Sequence, residues 1–424
     1  MSELDQAQVV TNGGRVGRSI ATRLLEEHPN VTLARYADAQ KIEARNICVE
    51  NIQGATVSIG GRPRLNFCSN DYLGLRHHPE VIRAAKAAID RYGAGLGSSR
   101  LMSGNIPLHY ELEEQLADWL RRPAAMLVTT GYQANLGLLS ALLAGSGEMI
   151  ADAGVHASAI DGGRMAGATV RSFRRGSIDG LSAQLARPSN VRCRVVMADS
   201  IYSMDGGVCG IEPIIRALEP HDEVILVVDE AHSLGVMGPQ GAGVTVELDS
   251  AQRVDFVTGT LSKSLGSLGG FIAGDTDALA ALAVQCRPLM FSTASTPAAL
   301  GAALASLDLI RRDPDGRRER VATLSARLRQ GLAQVGADTW KSSSQIVPVV
   351  LGRPERAGLA YRLVSDAGIC CGLSVWPAVP MGRSLLRFSV NADLSEGDID
   401  YAIEVVGNAL IRVDTSTITP ATRD

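Results

Sequence analysis

Between about residues 75 and 275, short apolar runs alternate with amphipathic stretches of helical period. The runs are Ala125 to Thr129, Glu148 to Ala151, Ala168 to Phe173, Val195 to Ala198, Val224 to Val228, Phe256 to Thr258 and Gly270 to Ala273. Runs this short and this uniformly apolar predict strands buried on both faces, connected by covering helices. The fold class that follows is α/β, with a mostly parallel seven-stranded sheet covered by helices. In such a sheet, ligand groups collect at the carboxyl ends of the strands.

The flanks carry other patterns. Residues 1–74 predict an N-terminal arm and a small sheet: helical patterns at Val16 to Glu27 and Ala34 to Arg45 precede apolar runs at Ala55 to Ile59 and Leu65 to Cys68. Gly60-Gly61 between those runs provides the positive φ that a tight hairpin needs. Residues 75–290 form the expected large domain. Residues 291–412 predict a smaller C-terminal α/β domain, with a helical stretch from about Pro297 to Val335 and strand runs at Gln345 to Leu351, Ile369 to Val375 and Leu385 to Val390. An amphipathic helix at Glu396 to Ile411 closes it, and the Thr-rich tail 413–424 is expected to be disordered. No internal repeat of 20 to 50 residues is visible.

Composition narrows the function. The 424 residues are 46% hydrophobic and 20% charged, too apolar for a disordered chain. Lys+Arg 41 against Asp+Glu 45 leaves a net charge of −4 without long like-charged runs, which argues against nucleic acid as a partner. No stretch of about 18 apolar residues suggests a membrane span, and the acidic start MSELDQAQVV is unlike a secretory signal, so a cytoplasmic location is expected. Seven scattered cysteines include no C-x-x-C pair, and no metal site is expected.

The most informative string is VILVVDEAHSLG, in which an apolar run leads into Asp229, Glu230, Ala231 and His232. An acid at the end of a buried strand is costly unless it meets a cation or a metal. Asp-Glu-Ala-His also occurs as a helicase motif, but that use requires an upstream G-x-x-x-x-G-K-[ST] loop, which is missing here. The second use pairs Asp229 with a heteroaromatic nitrogen. Lys263, 34 residues later in TGTLSKSLGSLGG, stands alone among Gly, Ser, Thr and Leu, where partial desolvation would lower its pKa and suit Schiff-base formation. Pyridoxal 5′-phosphate is the cofactor that needs such a lysine and an acid at its ring nitrogen.

Three further positions support that reading, although each has a plain structural alternative. Thr130, Gly131 and Tyr132 place a turn at the start of a helix, where free backbone N–H groups attract phosphate. His156, between a strand and a helix, belongs at the strands' carboxyl ends, where its ring could stack on a flat cofactor. Arg387, alternating with apolar residues on a strand, needs an anion if it points inward, and its fork suits a carboxylate. The alternative for Arg387 is a local salt bridge. Gly93 to Arg100 looks like a dinucleotide loop but follows a helical pattern, which rules that use out. The pairs Arg174-Arg175 and Arg311-Arg312 are expected on solvated faces, with contact to acidic phosphates as the alternative.

The strings SNDYLGLRHHP, GSSRLMSG, VHASAIDGG, DSIYSMDGG, VVDEAHSLG, TGTLSKSLG and FSTASTP, in this order, resemble the α-oxoamine synthases over about residues 50 to 410. DSIYS and SVNADLSEGDID lean toward the autoinducer-synthase type of member. GSSRLMSG is nearer the biotin and sphingolipid types. Many members carry a His after the strand Arg; here Asn391 and Asp393 stand instead, which weighs against a biotin-pathway role.

The resemblance implies a fold-type I pyridoxal-phosphate transferase, normally a homodimer, in which a small amino acid and an acyl thioester condense to an α-aminoketone with loss of CO₂ and free thiol. By position it makes Lys263 the cofactor lysine, Asp229 the partner of the ring nitrogen, His232 and Ser203 neighbours of the phenolic oxygen, and His156 the stacking ring. Gly131, Tyr132 and Thr260 would hold the phosphate, with Thr293 reaching in from the other subunit. Asn70 and Arg387 would meet the substrate carboxylate. The thioester carrier, coenzyme A or an acyl carrier protein, stays open, as does another pyridoxal-phosphate reaction such as an aminotransferase or lyase.

Overall fold

The computed structural model describes Ile20, residues 47–248 and residues 251–415. Apart from Ile20, the two expected N-terminal helices lie outside these, as do residues 416–424 of the expected tail. Strands β1 (Asn51–Gln53), β2 (Thr56–Ile59) and β3 (Arg62–Asn66) form the antiparallel small sheet. Its β2–β3 turn is made by Gly60 and Gly61 at φ 59° and 69°, a backbone region that glycine enters without strain.

Every apolar run of the central region is a strand: β4 (Ala124–Val128), β5 (Gly147–Asp152), β6 (Thr169–Phe173), β7 (Cys193–Asp199), β8 (Val224–Asp229), β9 (Phe256–Thr260) and β10 (Gly270–Gly274). They form one seven-stranded sheet in the order β4-β10-β9-β8-β7-β5-β6. Only β10 opposes its neighbours, so the other six share one direction and their carboxyl ends open on the same side. Burial explains the composition of the runs. Met149 and Ile150, Val195 and Val196, and Val227 and Val228 are adjacent residues facing opposite sides of the sheet, and all are fully buried.

After β10 the expected long helical stretch divides into helices Pro297–Arg312 and Arg317–Gln334, broken by the left-handed residues Asp313 and Gly316. Strand β11 (Ile346–Gly352) follows. The expected strand at Ile369 to Val375 is two: β12 (Ile369–Cys370) extends the first sheet by parallel pairing with β3, whereas β13 (Gly372–Ser374) pairs with β14 (Ser384–Ser389). The closing helix runs Glu396–Thr415, four residues beyond Ile411 and into the expected tail. No helix among the described residues is long and apolar enough to cross a membrane.

Candidate active site

The carboxyl ends of the parallel strands surround a cavity of about 280 Å³ lined by Gly131, His156, Asp199, Asp229, His232 and Lys263, among others. Asp229 is the last residue of β8 and is buried. Its charge is met twice: Asn135 Nδ2 donates to Oδ2 at 2.7 Å and the Ala231 N–H to Oδ1 at 2.8 Å. Asn135 is held in turn by Thr258 Oγ1, which donates to its carbonyl oxygen at 2.7 Å. Three neighbouring elements thus hold one carboxylate, as a buried acid requires.

Lys263 is half-buried in the loop after β9. Burial, countered by the Asp229 charge and reinforced by that of Arg387, brings its ammonium down to about 8. The amine is therefore partly neutral at neutral pH, as Schiff-base and proton-transfer chemistry need.

Both cavity histidines are held toward the neutral form, chiefly by burial. His156 caps the helix Ala157–Met165: its Nδ1 accepts the Ser158 N–H at 3.3 Å and lies 2.8 Å from Ser158 Oγ. Its ring meets the Tyr132 ring edge-on, with centroids 6.2 Å apart. His232 Nδ1 lies 2.7 Å from the buried Tyr72 hydroxyl, and the His232 carbonyl accepts from Gln345 Nε2 at 2.7 Å. A neutral imidazole has one donor and one acceptor nitrogen, so the Tyr72 contact governs which of them faces the cavity.

At the opposite wall, helix Gly131–Leu142 begins directly after Thr130, whose hydroxyl caps the Gln133 N–H. The Gly131 and Tyr132 N–H groups remain at a positive helix end, suited to phosphate. A Cβ on Gly131 would lie 2.9 Å from Thr260 Cβ, so this approach admits only glycine without movement. Thr260 is buried with its hydroxyl on the Gly269 carbonyl at 3.0 Å, and the exposed Tyr132 bonds Asp161 through its hydroxyl.

Arg387 is buried on β14, and among the described residues no carboxylate lies within ion-pair distance of it. Its Nε donates to the Ser203 carbonyl at 2.6 Å, and its Nη1 to Asn70 Oδ1 at 3.0 Å and Ser389 Oγ at 2.6 Å. The local salt bridge left open by the sequence is not what it makes. Its charge acts on Lys263 and His232.

Other expected residues lie elsewhere. Ser203 lines a second cavity of about 820 Å³, which shares His156 with the first. Thr293 is exposed, bridged to Ser99, and does not line this chain's small cavity. Asn391 binds the Asn66 carbonyl at 3.0 Å and Asp393 pairs with Arg317 at 3.3 Å; neither lines the small cavity, so they carry no direct reading of the substrate. Arg175 is no solvated face: it pairs with buried Asp205, stacks over Tyr202 and, with Arg174, lines the larger cavity. Arg311 and Arg312 do pair on the surface, with Asp118 and Asp308.

Asn135, Asp199 and Tyr72 join the site without having been expected there from the sequence. Asn135 was visible as a polar residue inside an apolar helix. Asp199, like Asp229, was visible as an acid ending an apolar run.

The chain matches the family described as aminotransferase class I and II over residues 62–406. An 8-amino-7-oxononanoate synthase of Anaeromyxobacter dehalogenans is 40% identical over 348 residues, covering 82% of this chain and 87% of its own. A serine palmitoyltransferase of Sphingobacterium spiritivorum is 35% identical over 356 residues, covering 84% of this chain and 89% of its own. A solved serine palmitoyltransferase from S. paucimobilis, with a bound PLP–myriocin aldimine, superposes with a TM-score of 0.89 at 29% identity, over 94% of this chain and 100% of that one. The residues present fit pyridoxal 5′-phosphate, with an amine of depressed pKa, a doubly held strand-end acid and a glycine cradle that a Cβ would fill.

Proposed function

The chain belongs to the aminotransferase class I and II family and, within it, to the α-oxoamine synthases, fold-type I enzymes dependent on pyridoxal 5′-phosphate, and we propose that it condenses a small amino acid with an acyl thioester. The products are an α-aminoketone, CO₂ and free thiol. The observation that carries the reading is the pairing of a Lys263 amine held near 8 with a buried, acid-free Arg387 close enough to influence it. An amine for the cofactor and a guanidinium for an amino-acid carboxylate are what this reaction needs at one site.

In this reading Lys263 would hold the cofactor, Asp229 would serve its ring nitrogen, His156 its ring, and His232 and Ser203 its phenolic oxygen. Gly131, Tyr132 and Thr260 hold the phosphate. When bound, the cofactor supplies the electron sink that lets the amino acid's Cα lose a proton or a carboxylate. Arg387 and Asn70 orient the substrate carboxylate until it departs as CO₂. The Lys263 amine would take the Cα proton, and its pKa near 8 suits a base working close to neutral pH. The Tyr72 hydroxyl lies 2.7 Å from His232 Nδ1 and 3.2 Å from Asn70 Oδ1, and a His232 protonated at Nε2 would donate to an anionic oxygen.

The larger cavity supports the thioester half. It shares His156 with the small one, and its lining combines the apolar Met204, Trp340 and Val379 with the cationic Arg174 and Lys341. An acyl chain and a phosphorylated carrier, coenzyme A or an acyl carrier protein, have that chemistry. The exposed position of Thr293 supports a homodimer in which it serves the neighbouring copy's site. Seven free cysteines suit a reducing, cytoplasmic location.

The test mixes cofactor-loaded protein with Gly, Ala or Ser and acyl thioesters of graded length on coenzyme A and on an acyl carrier protein, and follows thiol release and CO₂. Thiol and CO₂ appearing together for one amino acid and one range of lengths is the expected result. Cofactor absorbance that responds to amino acids while no thioester on either carrier yields thiol would overturn the reading.

A further inference from the structure

Asp199 ends β7 as Asp229 ends β8, and the two are direct register partners on adjacent parallel strands. Their side chains leave the same face of the sheet, with backbones roughly 4.8 Å apart. Two carboxyl groups so placed in a buried site do not both ionise; one keeps a proton. Hydrogen bonding decides which. Asp229 has a donor at each oxygen, at 2.7 and 2.8 Å. Asp199 has one long bond, from the His156 N–H to Oδ2 at 3.2 Å, and its buried Oδ1 has no partner. A bare oxygen of an ionised carboxylate is costly to bury, whereas a carboxylic acid is not held to that cost.

We propose that Asp199 is a positioning residue that keeps its proton in the working enzyme, so that the cavity offers the cofactor one carboxylate charge, that of Asp229, rather than two. Burial, with the Asp229 charge adding to it, pushes the Asp199 carboxyl well above the usual range. The carboxylates that face it act in one direction. Asp152 from β5 and Asp229 from β8 oppose its ionisation, and Cys209 beside it is buried with its thiol pushed up to about 12; Lys263 and the His156 N–H favour the charge, and the His156 ring is held toward neutral.

Two consequences follow for the site. An ionised Asp199 would hold the Lys263 ammonium charged, as its negative charge acts on that group; a neutral one leaves the amine easier to discharge. The Oδ2 bond also anchors the backbone of His156 and with it the ring that caps the next helix. The inference rests on the site and its cofactor, not on the proposed substrates.

Cofactor-free protein at about pH 8 should show the infrared carbonyl band of a protonated carboxylic acid, and Asp199→Asn should remove it. The amide keeps the shape and the neutrality, so the pH midpoint for amine labelling of Lys263 should stay where it is in the native chain, and cofactor affinity should stay within about threefold. Asp199→Ala strips the acceptor from the His156 N–H and should weaken cofactor binding about tenfold. Melting curves of the cofactor-free variants establish that each is folded; should the Ala variant not fold, the band and the labelling midpoint decide. An unchanged carbonyl band in Asp199→Asn, or a labelling midpoint about one pH unit lower, would show that Asp199 is ionised and overturn the proposal. Wild-type cofactor affinity in a folded Asp199→Ala would remove the positioning role. None of these readings uses an amino acid or a thioester, so they hold or fail apart from the condensation.

Discussion

Asn135 Nδ2 donates to Asp229 Oδ2 at 2.7 Å, joining the helix that begins at Gly131 to the strand that ends at Asp229. One amide therefore links the element suited to phosphate with the acid suited to a ring nitrogen, about half a cofactor apart in function and 94 residues apart in sequence.

Asn135→Ala should loosen that acid. A hydrogen bond to a charged group contributes about 1.5–3 kcal/mol, so cofactor binding should weaken by about 10- to 100-fold. A titration of the bound cofactor's absorbance measures this, and an unchanged affinity would show that Asp229 does not depend on Asn135.

Lys263 gives the cofactor-free chain a pH dependence of unusual sign. Its folded value of about 8 lies below its ordinary 10.5, so between the two the unfolded chain holds a proton that the folded chain has released. Stability should rise with pH across that window, and the same contribution is lost as pH falls toward 8. Urea unfolding at about pH 8 and about pH 10 should show the rise in the native chain and a flatter response in Lys263→Met; equal slopes would place the Lys263 amine in a solvent-like environment.

Tyr72→Phe removes the hydroxyl beside His232 Nδ1 at a position with 0% exposure. A buried imidazole nitrogen left without its partner costs about 1–3 kcal/mol. Thermal denaturation should register the loss, and the absorbance of the bound cofactor should change its pH profile because the imidazole tautomer is no longer set. Identical melting and an identical profile would show that Tyr72 only fills space.

Arg387→Ala should raise the amino-acid KM by at least about tenfold while leaving cofactor affinity nearly unchanged, since the proposed contact is to the substrate carboxylate. Initial rates of thiol release give both constants. A loss confined to kcat would argue against carboxylate binding by Arg387.

Gly206→Ala should be among the more damaging single-methyl additions. The new Cβ would lie 1.9 Å from the Ile346 carbonyl oxygen, at a φ of +67°. Gly60→Ala has similar strain, φ +59°, but nothing within 4 Å, so it isolates the backbone part. Urea denaturation should show a cost of about 1–2 kcal/mol for Gly60→Ala and at least about 1 kcal/mol more for Gly206→Ala. Equal losses would mean that β11 yields freely.

The strands were legible because burial on both faces leaves few options for composition, and Val227-Val228 or Met149-Ile150 read directly as core. Lys263 and Asp229 were legible because each interrupts its surroundings in a way that costs free energy unless used. Asn135 and Tyr72 were not assigned, since their meaning lies in partners 94 and 160 residues away. The break at Cys371 was hidden for a related reason: Ile369 to Val375 is uniformly strand-like, and only the three-dimensional choice of partner, β3 or β14, divides it.

That break has a mechanical side. With only Cys371 between β12 and β13, the small sheet that leads to Asn70 and the sheet that carries Arg387 are yoked, and the Asn70–Arg387 bond adds a second tie. A swing of this half of the molecule relative to the seven-stranded sheet would carry the carboxylate clamp as a preassembled jaw. Several bonds act as its latch, among them Arg387 to the Ser203 carbonyl, Gln345 to the His232 carbonyl, the Tyr72 hydroxyl to His232 Nδ1 and the Ser343 N–H to the Gly206 carbonyl. Releasing them would change the clamp's distance from Lys263 without disassembling the clamp.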